Sequence, residues 1–172
     1  MRRSMPIVAF IVAFIVAVAL ASPASAEELA DPDDVKGKLD LSLVVGNKKN
    51  SDGPLRIKIE TYENWAKSLL NRKHRNRVWV YFNVDKDKEF EYTGFIYSIR
   101  QGKLIMDFLV LEELRVRHPD GHTLRVRVPG DSPPNPEGLV RITVKSRFKT
   151  KTGGCSEGCR DRAPNGGTLA VS

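Results

Sequence analysis

The sequence predicts an all-β fold: an antiparallel β-sandwich, jelly-roll-like, of about nine strands with one short helix. A barrel is the second arrangement open to the same strands. Three observations carry this. First, residues 77–111 contain Trp79, Tyr81, Phe82, Phe90, Tyr92, Phe95, Tyr97 and Phe108, most of a chain total of two Trp, four Tyr and seven Phe. Aromatic and β-branched residues fit a pleated, half-buried surface. Second, short runs elsewhere alternate apolar and polar with a period of two. Third, polar turns separate these runs at short intervals, and no internal repeat is visible.

With 172 residues the chain is long enough for one domain with a real core, and its 28% charged residues suit a soluble protein. Residues 1–26 read as a signal peptide. Arg2 and Arg3 form a positive start, residues 7–21 are apolar and uncharged, and Ala24-Ser25-Ala26 is a cleavage site. The apolar run is shorter than the ~20 residues of a membrane span, with an uncleaved anchor as the alternative. Nothing after the Arg pair extends a twin-arginine signal, so general secretion is expected. The expected location is extracellular, with no stable membrane insertion after cleavage. Net charge is +7, or +5 once Arg2 and Arg3 are gone. That balance suits anionic partners such as envelope polymers, or else only a soluble surface.

In chain order, residues 27–36 read as an acidic linker or strand approach, and residues 37–172 as the sandwich domain. Residues 37–45 alternate, placing Leu39, Leu41, Leu43 and Val45 on one face. Residues 46–54 are a polar loop. Residues 55–61 alternate again, with Leu55, Ile57 and Ile59 inward. Thr61 is placed to cap a short helix over residues 62–70, with Tyr62, Trp65 and Leu69 on one side. A basic loop, residues 71–77, leads into the aromatic meander.

Within the meander, a three-residue loop Arg100-Gln101-Gly102 would set Ile96 opposite Met106, Gly94 opposite Phe108 and Tyr92 opposite Val110. The other face then shows Trp79, Tyr81, Phe95 and Tyr97, with Asp107 beside Phe95. These five are the candidate ligand-binding residues, because ring platforms beside a carboxylate suit sugars. A two-residue Gln101-Gly102 turn would slip the register by one and move Asp107 to the other side. Cover by the helix or a second sheet would close the face.

Next, Pro119-Asp120-Gly121 predicts a type I turn with a G1 bulge. His118 then pairs with His122, Arg115 with Arg125, and Arg117 with Thr123. Arg115, Arg117, Arg125 and Arg127 share one face and are the candidate anionic-partner residues. Like charges directly opposite destabilise a sheet, so either Glu112 and Glu113 or an anionic ligand must offset them. Residues 129–138 are a Pro-rich loop. Residues 139–148 form a strand with Val140, Ile142, Val144 and Phe148 inward. Residues 149–167 are a cysteine loop, and residues 168–171 a last strand.

Cys155 and Cys159 are expected to form a disulfide that pins this loop, worth roughly 2 kcal/mol for so short a ring. With no third Cys in the chain, a cysteine metal site is not expected. No G-x-S-x-G, H-E-x-x-H or phosphate-cradling glycine loop is present, so no enzymatic activity is expected. His118 and His122 at a hairpin base read as turn histidines, with a two-His metal site as the alternative. Asp85, Asp87 and Glu89 form a D-x-D-x-E turn without the glycine and distal Glu of an EF-hand. No cofactor is implied.

Asp34-Val35-Lys36-Gly37-Lys38-Leu39-Asp40, Glu60-Thr61-Tyr62-Glu63-Asn64-Trp65, and Cys155 through Cys159 with Asp161-Arg162-Ala163-Pro164-Asn165 resemble small secreted bacterial β-sandwich proteins of unassigned function. More remotely, residues 34–172 resemble DOMON-type and related carbohydrate-binding sandwiches, which bind sugars or haem. No Met and His are placed for haem here, and no ligand residue carries over. The reading is a secreted, non-enzymatic binding module with a glycan as the leading ligand. The alternative is an envelope-associated structural protein held to anionic polymers by its basic faces, and no nucleic acid is expected. Salt separates the two, since ionic binding weakens with ionic strength.

Overall fold

The computed structural model describes residues 26–35, 37–48, 53–70, 76–85, 87, 89–99, 101–106, 109–129, 139–149 and 158–172. Within them the chain forms β1 (Glu27–Ala30), β2 (Leu41–Asn47), β3 (Arg56–Thr61), β4 (Arg77–Asn83), β5 (Tyr92–Ile96), β6 (Gln101–Met106), β7 (Leu109–Arg117), β8 (Thr123–Arg127), β9 (Val140–Phe148), β10 (Cys159–Ala163) and β11 (Leu169–Val171). Every pairing is antiparallel, so the all-β, antiparallel expectation holds. The strands follow one hydrogen-bonded path, β1-β2-β3-β8-β7-β6-β5-β4-β9-β10, with β11 also on β9. This gives eleven strands rather than nine, and the pairing itself draws no division into two stacked sheets.

The path curls until its ends meet: β2 packs on β9, β10 and β11, and β1 on β11. Gly46 permits this approach, because a Cβ there would overlap Val171. Inside the curl, Val44, Ile57, Ile59, Val78, Val80, Phe82, Ile96, Leu114, Val116, Leu124, Val126, Ile142, Val144 and Val171 form one buried cluster. The alternating runs at 55–61 and 139–148 enter it as expected, with the pattern of two broken only at Thr143, which is buried as well.

Several local expectations are corrected. Residues 27–30, read as an acidic linker or strand approach, are themselves a strand, because their backbone pairs with β2. In β2 a bulge at Ser42 puts Leu41 opposite Thr61 but Leu43 opposite Glu60. One extra residue reverses the alternation, so Leu41 and Val44 are buried while Leu43 and Val45 turn outward. No α-helix forms at 62–70, only a single 3-10 turn, Lys67–Leu69. The backbone donors there are taken elsewhere: Tyr62 N–H donates to Asp40 O (3.0 Å) and Trp65 N–H to Gly121 O (2.7 Å). Residues 159–163, placed in the cysteine loop, are β10, paired to β9 from Cys159↔Phe148 to Ala163↔Val144.

The meander register also differs. Ile96 pairs with Gly102, Gly94 with Leu104 and Phe95 with Lys103, so β6 begins at Gln101 and neither predicted turn forms. Val110 pairs with Ile105 rather than Tyr92. Ile96 and Tyr97 are both buried, which ends the alternation before the turn. Gly94 is still a core position, but its space is bounded by Leu114 and Phe82 at 3.1 and 3.3 Å from an ideal Cβ.

The basic hairpin pairs Arg115 with Arg127, Val116 with Val126 and Arg117 with Arg125, two residues from the expected register. Gly121 is not in the left-handed region, so the predicted G1 bulge is replaced by a wider loop. Two contacts widen it. The buried His118 ring stacks on Trp65 at 3.8 Å, and Asp120 Oδ1 accepts from His122 N–H (3.1 Å) and Thr123 N–H (2.8 Å). A shift of two preserves the facing, so the four arginines still share one exposed face.

Candidate functional site

The outer surface of β5, β4, β9 and β10 carries rings and cations in register. Phe95 faces Trp79, Trp79 faces Lys145, and Lys145 faces Arg162. The neighbouring row is Arg77, Arg147 and Arg160. Trp79 and Phe95 lie 6.0 Å apart, Tyr81 and Phe90 5.3 Å. Lys145 Nζ sits 4.7 Å from the Tyr81 ring centre and Arg77 5.7 Å from that of Phe95, within cation–π range. Burial pushes the Tyr81 hydroxyl above its ordinary pKa, keeping it a neutral donor. Trp79, Tyr81, Lys145, Arg147, Arg160 and Arg162 line a groove of about 600 Å³, with Asp34, Asp161 and Asn165 also in its lining.

Of the five ring-face candidates, Trp79, Tyr81 and Phe95 are half-buried and reach this surface. Tyr97 is corrected: it is buried, although its ring lies 5.7 Å from that of Phe95. Asp107 lies outside the described residues, as does Phe108. The carboxylates that do adjoin the rings are Asp34 and Asp161, on other segments.

The second surface is a lattice of cations. Arg56 faces Arg127 and Lys58 faces Arg125 across β3 and β8; Arg127 faces Arg115 and Arg125 faces Arg117 across β8 and β7. With Asn47 and Ala26 they line a hollow of about 520 Å³. Among the described residues the one ion pair here is Lys58 with Glu60, at 3.1 Å. Glu113 faces Lys103 and Glu112 is opposite Leu104, so neither stands across from the four arginines.

A cluster of aspartates occupies the seam where β10 meets the segment before β2. Asp161 is buried; its Oδ2 accepts from Leu41 N–H and its Oδ1 from Arg162 N–H, both at 2.6 Å. Burial, then the charge of Asp161 and that of Asp34, raise Asp31 from 3.8 to about 6; the Asn165 backbone N–H opposes this only weakly. Burial and then Asp161, with Asp33 and Asp34 beyond it, raise Asp40 to about 8. Asp161 is itself raised, chiefly by burial. The cluster was missed in the sequence, where Asp31-Pro32-Asp33-Asp34 reads as linker and Asp161 as loop. The alternation Arg160-Asp161-Arg162 was the available signal for β10.

The remaining candidates are structural. His118 Nδ1 lies 2.7 Å from Thr123 O and Nε2 3.2 Å from Trp65 O, while His122 is solvent-exposed beside Asp120. The two histidines do not converge. At the β4–β5 tip, Asp85 and Asp87 accept turn N–H groups from Asp87 and Glu89 (3.1 and 2.7 Å), and Glu91 rather than Glu89 completes the acidic group. Cys159 is not a free thiol, and Cys155 lies outside the described residues. Among the described residues no helix is long and apolar enough to cross a membrane. No family model, curated protein or solved structure matches the chain.

Proposed function

We propose that this chain is a secreted, non-enzymatic binding module whose ligand is a glycan bearing negative charge, held in the groove of β4, β9 and β10. One observation carries the reading: the in-register row Phe95, Trp79, Lys145, Arg162. Rings stack on the apolar faces of sugars, and the adjoining cations meet carboxylates or phosphates. Three like-charge pairs face one another here, Lys145 with Arg162, Arg147 with Arg160 and Arg77 with Arg147. An anion relieves that repulsion. A signal peptide over residues 1–26, export, a Cys155–Cys159 bond, a jelly-roll-like sandwich and kinship with secreted carbohydrate-binding sandwiches belong to the same reading.

A second reading is favoured by the lattice of Arg56, Lys58, Arg115, Arg117, Arg125 and Arg127: an envelope protein held to anionic polymers by charge alone. Retention on immobilised acidic and neutral polysaccharides, with and without Trp79→Ala, tests the first against the second. Loss of the Trp79 ring is expected to weaken retention on the acidic polysaccharide by about tenfold, a central aromatic contact being worth 1–2 kcal/mol. Part of wild-type retention should survive high salt. Retention that ignores Trp79→Ala and vanishes with salt would move the function to the lattice.

A further inference from the structure

Two carboxylates of the aspartate seam carry buried oxygens that lack a hydrogen-bond partner. Asp31 is 3% exposed and both its oxygens are buried without a partner; Asp40 is 1% exposed and its Oδ1 is likewise bare. The charges acting on both are those of other aspartates. Buried polar atoms in folded proteins are almost always satisfied, and a bare one asks for an explanation. A cation among Asp31, Asp34 and Asp161 would give the bare Asp31 oxygens a partner and offset the charge the three carboxylates share.

We propose that Asp31, Asp34 and Asp161, with Asp40 behind them, hold one hard divalent cation, calcium by its chemistry, beside the groove. One oxygen from each of the first three lies within 4.8 Å of the others. Two calcium–oxygen bonds of ~2.3–2.6 Å span that distance. The donors are all carboxylate oxygens, the set hard cations take in preference to softer metals. The site has a door, because Asp34 is exposed and, with Asp161, lines the groove. It is also anchored: Asp161 is fixed by Leu41 and Arg162, and Asp34 Oδ2 accepts from Asn165 Nδ2 at 2.7 Å. The acidic tip at Asp85, Asp87 and Glu91 has the same spacing. Its Asp85 and Asp87 are exposed, however, and Glu91, although its Oε1 also lacks a partner, is only half-buried, so it has no fully buried carboxylate like Asp31.

The full-length chain, stripped with a chelator and desalted, is titrated calorimetrically with calcium and, separately, magnesium, and its melting temperature is followed in each. One calcium per chain is expected, with a Kd of ~10⁻⁵–10⁻³ M and a rise in melting temperature. Asp34→Asn, at an exposed position that leaves the fold intact, should weaken binding by at least about tenfold, since affinity follows ligand charge. Asp31→Asn should raise the melting temperature of the stripped chain and abolish the calcium-dependent rise. Asp87→Asn should change neither. Absence of heat and of any melting shift with both metals overturns the proposal. So does a calcium response that survives Asp31→Asn and Asp34→Asn but is lost in Asp87→Asn.

Discussion

The outer surface of β4, β9 and β10 and that of β3, β8 and β7 carry nearly the same charge pattern. In each, the middle strand sets its cations between those of its neighbours: Arg147 between Arg77 and Arg160, Arg127 between Arg56 and Arg115. Only the first adds rings and an aspartate cluster. The difference teaches that repeated like-charge pairing marks a preference for anions but does not choose among them. Selectivity needs surfaces that fit something besides charge, and those lie on one face alone.

The largest separation of the two faces should come from the contact of β2 with β11. Gly46→Val on β2 forces a side chain into Val171 of β11, where no space exists, and should cost about 3 kcal/mol, the upper end of overpacking. Calorimetry measures the loss. Lattice retention should fall further than groove retention, because Val45 and Asn47, on either side of Gly46, line the lattice hollow. Equal loss on both faces would mean the curl is held elsewhere.

The next effect is that of pH, in the presence of a chelator. Asp31 and Asp40, raised from 3.8 to about 6 and about 8, bind their protons more tightly folded than unfolded. The stability they contribute is complete below about pH 4 and is lost as pH rises through about 6 and then about 8, on the order of 3 kcal/mol for Asp31 and more for Asp40. The groups facing them are Asp33, Asp34 and Asp161, with the Tyr62 hydroxyl donating to Asp31 O. Melting temperature should therefore decline from pH 4 to pH 8, while low-salt retention by the lattice stays level. A flat melting curve over that range would show that these carboxyls are solvated.

The smallest effect belongs to the lattice. Arg125→Ala with Arg127→Ala removes the middle column, and each residue faces two cations. Stability should rise by about 1 kcal/mol at low salt, from several relieved pairs of ~0.2–1 kcal/mol each, while retention on an anionic polymer falls. A loss of stability would mean these arginines are paired after all.

Strand-forming segments were legible wherever alternation was strict, as at 55–61 and 139–148, and the shared face of the four arginines survived a two-residue register error. The register itself was not legible. It turned on Ser42 bulging out of β2, on Tyr97 going inside, and on His118 stacking against Trp65. Part of the groove was readable as Trp79 and Tyr81, with Phe95 beside Trp79. Lys145 and Arg147 lie on β9, itself legible as a strand, whereas Arg160 and Arg162 depend on β10, where the sequence reads as a loop.

By itself the sequence determined the strand type, the period-two faces and the basic balance, because these follow from which side chains a pleated backbone can bury. The tertiary structure alone decided which faces became neighbours. Sheet closure brings residues 31–40 against β10, so Asp31 and Asp34 meet Asp161 across more than 120 positions of chain. Such a meeting leaves no local pattern, since nothing near Asp31 in the chain differs between a solvated acidic linker and a buried acidic seam. Burial and a neighbouring charge are properties of place, and place is set by the closing of the sheet.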